Sequence, residues 1–228
     1  MYEIMPSMEN RKNRTIYGRR QARPIKEAQK HLLETVFSTV KISPSNLPAA
    51  FPDEVIFEVG FGSGENLAHQ AKKYPNALCI GCEPFINGIV SLLGKISAED
   101  LSNIHIFDDD ATLLLQALPE HCISKAFILF PDPWPKKRHH KRRVVSMESV
   151  LLIHGKMQKN GMLTIATDHP GYLEWIVEIT KQEKFRSHFL PMNAIKDARP
   201  SEDEIPITRY EKKALENRPG TFLIFKAI

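Results

Sequence analysis

A chain of 228 residues, 42% of them hydrophobic and with a formal net charge of +4, carries enough apolar material for one sizeable core and no Ser/Gly-rich linker to suggest a second. No apolar run approaches bilayer-spanning length, so a transmembrane helix is not expected. Cys79, Cys82 and Cys122 are an odd and sparse set without a signal-like apolar segment ahead of them, which argues against a disulfide scaffold and for the reducing cytoplasm.

Residues 1–23 are polar and basic, with Arg11, Lys12, Arg14, Arg19, Arg20 and Arg23. This composition predicts an arm that is mobile without a partner, followed by a single domain over 24–228. A helix is expected from Pro24, with Leu32, Leu33, Val36, Phe37 and Val40 on one face. After a loop marked by Pro44, Pro48 and Pro52, a strand at 55–59 runs into a turn with Gly60, Gly62 and Gly64 and then a helix at 65–74. A second strand at 77–82 ends in Glu83, and the helix after Pro84 places Ile89, Leu92, Leu93 and Ile96 at helical spacing. The third strand, 104–107, ends in Asp108, Asp109 and Asp110; a helix at 111–118 leads to an apolar strand at 126–130. Beyond a basic loop, a helix at 144–158 precedes a strand at 162–168. A helix at 172–181, a strand at 185–190, a loop at 207–211 and a strand at 222–226 complete the chain. Five strand–helix units in alternation predict a doubly wound, mostly parallel sheet with one late antiparallel strand.

The stretch from Phe130 to Arg143 organises this pattern. Pro131 ends the strand because proline cannot donate to a ladder. Asp132 therefore stands at a strand's C-terminal end, where open α/β sheets place ligands, and Pro131, Pro133 and Pro135 limit the positions open to it and to Trp134. All eight residues from Lys136 to Arg143 are basic or histidine. A bare run of this kind is usually a solvated loop or a nonspecific nucleic-acid tail. A rigid acid and an indole directly ahead of it suit a base-modifying enzyme instead, with Lys137, Arg138, Lys141, Arg142 and Arg143 on RNA phosphates. Trp134 either stacks on a base or packs over the sheet end.

The glycine turn does not fit a dinucleotide. In the G-x-G-x-x-G pattern counted from Gly60, the third glycine is replaced by Glu65, a carboxylate where the helix would have to hold a pyrophosphate. Glu58 adds a second negative charge. The ligand suited to these acids has an ammonium, a sulfonium and no phosphate, which is S-adenosylmethionine. Glu83 could accept both ribose hydroxyls, and Asp110 could receive the adenine amine; acids at strand ends are equally at home as turn residues or helix caps. The pair Cys79 and Cys82 lacks a second ligand pair and lies in a strand-like run, so no metal is expected.

The segments Glu58-Val59-Gly60-Phe61-Gly62-Ser63-Gly64, Ile80-Gly81-Cys82-Glu83, Phe130-Pro131-Asp132-Pro133-Trp134-Pro135-Lys136-Lys137-Arg138-His139, Thr167-Asp168 and Thr208-Arg209-Tyr210-Glu211 resemble those of the bacterial tRNA (guanine-N7-)-methyltransferases, over most of the chain. The resemblance implies a Rossmann-like methyltransferase fold with a seven-stranded sheet and a basic N-terminal extension. It further implies that Glu58, Glu83, Asp110 and Asp132 contact S-adenosylmethionine, the glycine turn cradling it, with Asp132 also at the reacting centre. Lys136, Asp168 and Thr208, Arg209, Tyr210 and Glu211 would contact the tRNA, whose variable loop carries the target guanine. The protein would be a monomer or a homodimer. At Ala22 the chain departs from the glycine of the family's basic N-terminal motif.

Guanine N7 bears a lone pair and no proton, so it needs no general base. A carboxylate such as Asp132 would stabilise the positive charge that develops on the purine. Asp168 or Glu211 could accept from guanine N1–H and the 2-amino group, a donor pair that adenine lacks. Two rivals remain. An exocyclic-amine methyltransferase usually has Asp or Asn followed by Pro-Pro and an aromatic, whereas Asp132-Pro133-Trp134 lacks the second adjacent proline. A noncatalytic RNA-binding protein on a degenerate fold is opposed by the full set of glycines and acids.

Overall fold

The computed structural model describes residues 20–193, 199–214 and 219–228; most of the predicted basic arm, including Arg11, Lys12, Arg14 and Arg19, lies outside them. Two helices come first, α1 (Glu27–Thr35) and α2 (Phe37–Val40). Four strand–helix units follow: β1 (Val55–Val59) with α3 (Glu65–Lys73), β2 (Leu78–Cys82) with α4 (Ile86–Glu99), β3 (Ile104–Phe107) with α5 (Ala111–Ala117), and β4 (Ile123–Leu129) with α6 (Met147–Lys156). The chain continues through β5 (Met157–Thr167), α7 (Pro170–Lys181), α8 (Glu183–Arg186), β6 (Phe189–Pro191), α9 (Arg209–Ala214) and β7 (Thr221–Ala227).

The seven strands form one sheet in the order β3-β2-β1-β4-β5-β7-β6. β1 pairs in parallel with β2 and β4, and β4 with β5, while β7 runs antiparallel to both β5 and β6. Successive residues along the central strands feed opposite faces. Val55 and Phe57 of β1, Ile80 of β2 and Ala126 and Ile128 of β4 join one buried cluster, and Ile56, Cys79, Phe127 and Leu129 join the other. Burial on both faces explains why the apolar residues of these strands, such as Ala126 to Leu129 of β4, follow one another without alternation. Cys79 and Cys82 fall in different clusters, so they face away from each other. All three cysteines are free and buried, and burial pushes the Cys79 thiol up to about 12.

The strand order reverses between β1 and β4. Such a switch point opens a crevice beyond the carboxyl ends of the two strands, bounded here by the glycine turn after β1 and by Asp132 after β4.

Several predicted elements differ from those observed, among them the N-terminal helix, which divides at Val36 into α1 and α2. Residues 185–190 were expected as one strand, but Phe185 belongs to α8 and only Phe189–Pro191 pairs, as an edge strand. Phe185 and Phe189, four residues apart, stack at 4.9 Å, and that local aromatic pair outweighs strand alternation. The loop expected at 207–211 contains the start of α9. The helix expected to reach residue 158 ends at Lys156, and β5 begins at once.

Candidate active site

Gly60, Gly62 and Gly64 all have positive φ, of 72, 55 and 76°, the left-handed region that glycine enters without Cβ cost. The turn rests on α4 so closely that a Cβ on Gly88 would lie 2.2 Å from the Gly62 carbonyl oxygen. Over Gly60 and Gly62 themselves the space is open, leaving bare backbone towards the crevice.

Two buried acids flank this turn. Glu58, 2% exposed, accepts from Asn66 Nδ2 at 3.2 Å, and Gln70 in turn donates to Asn66 at 3.1 Å and to the Glu204 carbonyl at 2.7 Å. Burial, assisted by the charges of Glu65 and Glu83, pushes the Glu58 carboxyl up to about 8. Glu83, 8% exposed, accepts from the N–H groups of Gly62 at 2.8 Å and Phe85 at 2.9 Å. Its carboxyl is pushed up to about 7 by burial, against those two hydrogen bonds and with help from the charge of Asp132. Two acids near neutrality, held partly protonated by burial and by neighbouring carboxylates, form a site that gains from an arriving cation. This set fits S-adenosylmethionine, which brings an ammonium and a sulfonium. Glu65 is less of an obstacle to anions than its position in the sequence implies, because Lys95 Nζ lies 3.9 Å from it and donates to the Ser63 carbonyl at 2.8 Å. Asp110 N-caps α5, accepting from Thr112 N–H at 2.9 Å, so the helix-cap alternative describes what it does within the fold.

On the other side of the crevice β4 stops at Leu129, and Phe130 turns to φ 51° with its N–H bonded to the Ala166 carbonyl at 2.8 Å. Asp132 is exposed, and its charge acts on both Glu83 and Tyr172. Trp134 also has positive φ, of 42°, and is covered by the Arg142 guanidinium at 4.9 Å and the edge of His139 at 5.9 Å. The basic run is not an irregular loop: Lys137–Arg142 form a 3₁₀ helix. Lys136, Lys137, Arg138 and Lys141 are exposed and Arg142 is half-buried. Arg143, grouped by sequence with the phosphate contacts, is 7% exposed, donates to the Pro133 carbonyl at 2.9 Å and lies over Tyr172 and Trp175 at 4.9 and 5.1 Å. It is a tether for the turn and presents little charge to solvent.

At the end of β5, Asp168 helps to line a cavity of about 270 Å³ with Thr167, His169, Pro170, Leu173, Pro219 and Thr221. The Tyr210 hydroxyl reaches both Asp168 oxygens at 3.3 Å, and the Tyr210 ring lies on Phe130 at 5.5 Å. Thr208 and Glu211 form a reciprocal capping box: Thr208 Oγ1 accepts from Glu211 N–H at 3.1 Å and Glu211 Oε2 from Thr208 N–H at 3.0 Å. Glu211, weighed from sequence as an acceptor for the base, is 3% exposed and paired with Arg199 at 2.8 Å. Its carboxylate is thus committed within the protein, while Arg209 and Tyr210 stay exposed. Sequence reasoning missed Asn66, Gln70 and Arg199; Asn66 and Gln70 share one face of α3 at i and i+4, which was the available signal.

A glycine turn on β1, acids at the ends of β1 and β2 and a seven-stranded sheet with one reversed strand together define a methyltransferase of the Rossmann-like class. A family model described as "Putative methyltransferase" matches residues 52–223. A tRNA (guanine-N(7)-)-methyltransferase of Paracoccus denitrificans is 38% identical over 95% of this chain and 96% of its own length. One from Zymomonas mobilis is 40% identical over 89% of each. The chain belongs to this family of tRNA (guanine-N(7)-)-methyltransferases. Solved structures agree on the fold: 16S rRNA methyltransferase KamB at a TM-score of 0.56, with 15% identity over 90% of this chain and 95% of that one, and a 16S rRNA (adenine(1408)-N(1))-methyltransferase of Catenulisporales acidiphilia with cosubstrate SAM, at 0.53, with 14% identity over 76% and 84%.

Proposed function

We propose that this chain transfers a methyl group from S-adenosylmethionine to N7 of a guanine in the variable loop of tRNA. The observation that carries this reading is the position of Asp132, between an acid-lined glycine turn and an exposed cationic 3₁₀ helix. When bound, the cofactor supplies an electrophilic methyl, whose bond to sulfur breaks as the bond to N7 forms, the sulfur keeping the electron pair and the purine taking the positive charge.

The chain's own residues orient and compensate charge. Glu83 would accept from the ribose hydroxyls and Asp110 from the adenine amine, with Glu58 beneath the turn adding negative potential for the cationic end. Lys137, Arg138, Lys141 and Arg142 attract the RNA backbone, and Lys136, four residues past Asp132, aligns the target nucleotide. Asp168, facing the cavity at the end of β5, accepts from N1–H and the 2-amino group of guanine, with Arg209 and Tyr210 beside it. Glu211 serves this segment through its capping box. Because N7 carries no proton, no base is required, and Asp132 lowers the barrier by stabilising the purine cation as it develops.

The test is incubation with labelled S-adenosylmethionine and unmodified tRNA, followed by borohydride and aniline, which cleave the chain at 7-methylguanosine. Cleavage at one variable-loop position is expected. Incorporation of label without cleavage would point to an exocyclic amine instead, and no incorporation would leave an RNA-binding protein.

A further inference from the structure

Arg199 belongs to none of the strand-end or glycine-turn motifs, yet its guanidinium joins the two sides of the substrate end of the sheet. Nε and Nη2 reach the two Glu211 oxygens at 2.8 and 3.3 Å, Nη1 donates to the carbonyls of Pro200 and Ile205 at 2.9 Å each, and Nη2 donates to that of Pro206 at 2.9 Å. Its face lies over the Phe222 ring at 5.2 Å. A rigid fork with five N–H donors matches this set of acceptors; a lysine does not. Burying Glu211 without such a partner would be costly, and it is Glu211 that closes the Thr208 capping box.

The second arm runs through aromatic rings. Phe222 meets Phe130 edge-on at 5.7 Å, and Phe130 meets Tyr210 at 5.5 Å. Phe130 holds its left-handed φ of 51° two residues before Asp132. Tyr210, returning from the capped first turn of α9, completes the circuit with its hydroxyl on Asp168.

The geometry points to Arg199 as a positioning residue for methyl transfer, one guanidinium that fixes the register between Asp132, Asp168 and Tyr210. This rests on the reading of those three residues as substrate-facing. Arg199 acts through Glu211 on α9 and through Phe222 and Phe130 on the end of β4, with its guanidinium occupied by Glu211, three main-chain carbonyls and the Phe222 ring.

Arg199→Lys tests it, against a wild-type enzyme first shown to give aniline-sensitive tRNA. If the wild type gives none, the functional reading fails and not the register. With an active wild type, Arg199→Lys is expected to keep cofactor Kd within about twofold, to lose about tenfold or more in single-turnover rate at saturating tRNA, and to raise KM for tRNA. A purely structural arginine would lower Tm and leave the saturated rate and KM unchanged, and that result overturns the inference. Loss of cofactor binding in step with rate also overturns it, because the damage would not be confined to register. Should Arg199→Lys fail to fold, Phe222→Leu, which removes the ring between the guanidinium and Phe130, is read by the same three measurements with the same outcomes.

Discussion

Arg143 donates through Nε to the Pro133 carbonyl at 2.9 Å, so the end of the basic run is tied to the residue that follows Asp132. With its guanidinium between Tyr172 and Trp175, this arginine holds the turn to α7. The cationic run therefore divides into exposed residues and a buried tether, and salt dependence separates the two parts. Each phosphate contact contributes roughly −0.7 to −0.9 to the slope of log affinity against log salt. Lys137→Ala combined with Lys141→Ala should flatten that slope by about one to two units. Arg143→Ala should leave the slope near wild type and lower Tm by several degrees, as expected for losing a charged hydrogen bond worth about 1.5–3 kcal/mol. Titrating tRNA at several salt concentrations, with a melting curve for each variant, checks both; a flattened slope in Arg143→Ala would return it to the phosphate contacts.

Cofactor affinity should rise with pH. The carboxyls of Glu58 and Glu83, pushed up to about 8 and about 7, are largely protonated at pH 6 and ionised at pH 9, and only the ionised forms attract a cationic ligand. For folding the sign is opposite. Between about pH 4.5, the ordinary value, and pH 8 the folded state binds more protons at Glu58 than the unfolded state, so stability falls as pH rises through this window. Glu58→Gln removes that term. Melting curves should show the variant gaining on wild type from pH 5.5 to 8.5, and calorimetry should show a shallower rise of cofactor affinity with pH. Parallel pH profiles in the two proteins would remove Glu58 from this role.

Much of this site was legible because its signals are local. The strand before Asp132 is apolar and buried from Ala126 to Leu129 since this part of β4 is covered on both faces, and prolines mark where it ends. Glu83 and the glycines lie where strand–turn–helix units place them. The T-x-x-E of Thr208 and Glu211 is also a local signal, that of a capping box, and it identifies the beginning of α9 where a loop was expected. Arg199 was not legible. Its acceptors are a carboxylate twelve residues away and three main-chain carbonyls, and no pattern in the chain announces carbonyls. The burial of Arg143 was hidden for a similar reason: its neighbours Tyr172 and Trp175 come from α7, and its sequence neighbours are exposed cations.

Asp132→Asn keeps shape and removes charge from an exposed position at the strand end. Because the charge matters most as the purine becomes cationic, the saturated single-turnover rate should fall by about 10–100-fold while tRNA affinity changes little. Rapid-quench methylation with tRNA in excess measures the first and filter binding the second. A wild-type rate would remove Asp132 from the reacting centre.

Glu83 holds the glycine turn through Gly62 N–H at 2.8 Å and the start of the α4 turn through Phe85 N–H at 2.9 Å. Glu83→Gln retains one acceptor oxygen for these groups and loses the charge proposed to serve the ribose. Calorimetry should show a weaker cofactor by about 1.5–3 kcal/mol, with tRNA affinity unaltered. Equal cofactor affinity in variant and wild type would take Glu83 out of the site.

Asn87, near the start of α4, clasps the segment just before α1. Its Oδ1 accepts from the N–H groups of Ala22 at 3.0 Å and Arg23 at 3.3 Å, and its Nδ2 donates to the Arg23 carbonyl at 3.1 Å. Ile86 N–H adds a bond to the Arg20 carbonyl at 2.8 Å. Residues 20–23, assigned from composition to a mobile arm, are thus anchored beside the second strand's acid, a few residues past Glu83. The Arg20–Asp109 contact at 3.3 Å involves a side chain 44% exposed, so the clasp and not the ion pair should dominate. Asn87→Ala removes three hydrogen bonds to the Ala22–Arg23 segment. Hydrogen exchange at the Ala22 and Arg23 amides should accelerate sharply in this variant, with β1 and β4 amides as slow as in wild type. Unchanged protection at Ala22 and Arg23 would show that the segment is held by something other than Asn87.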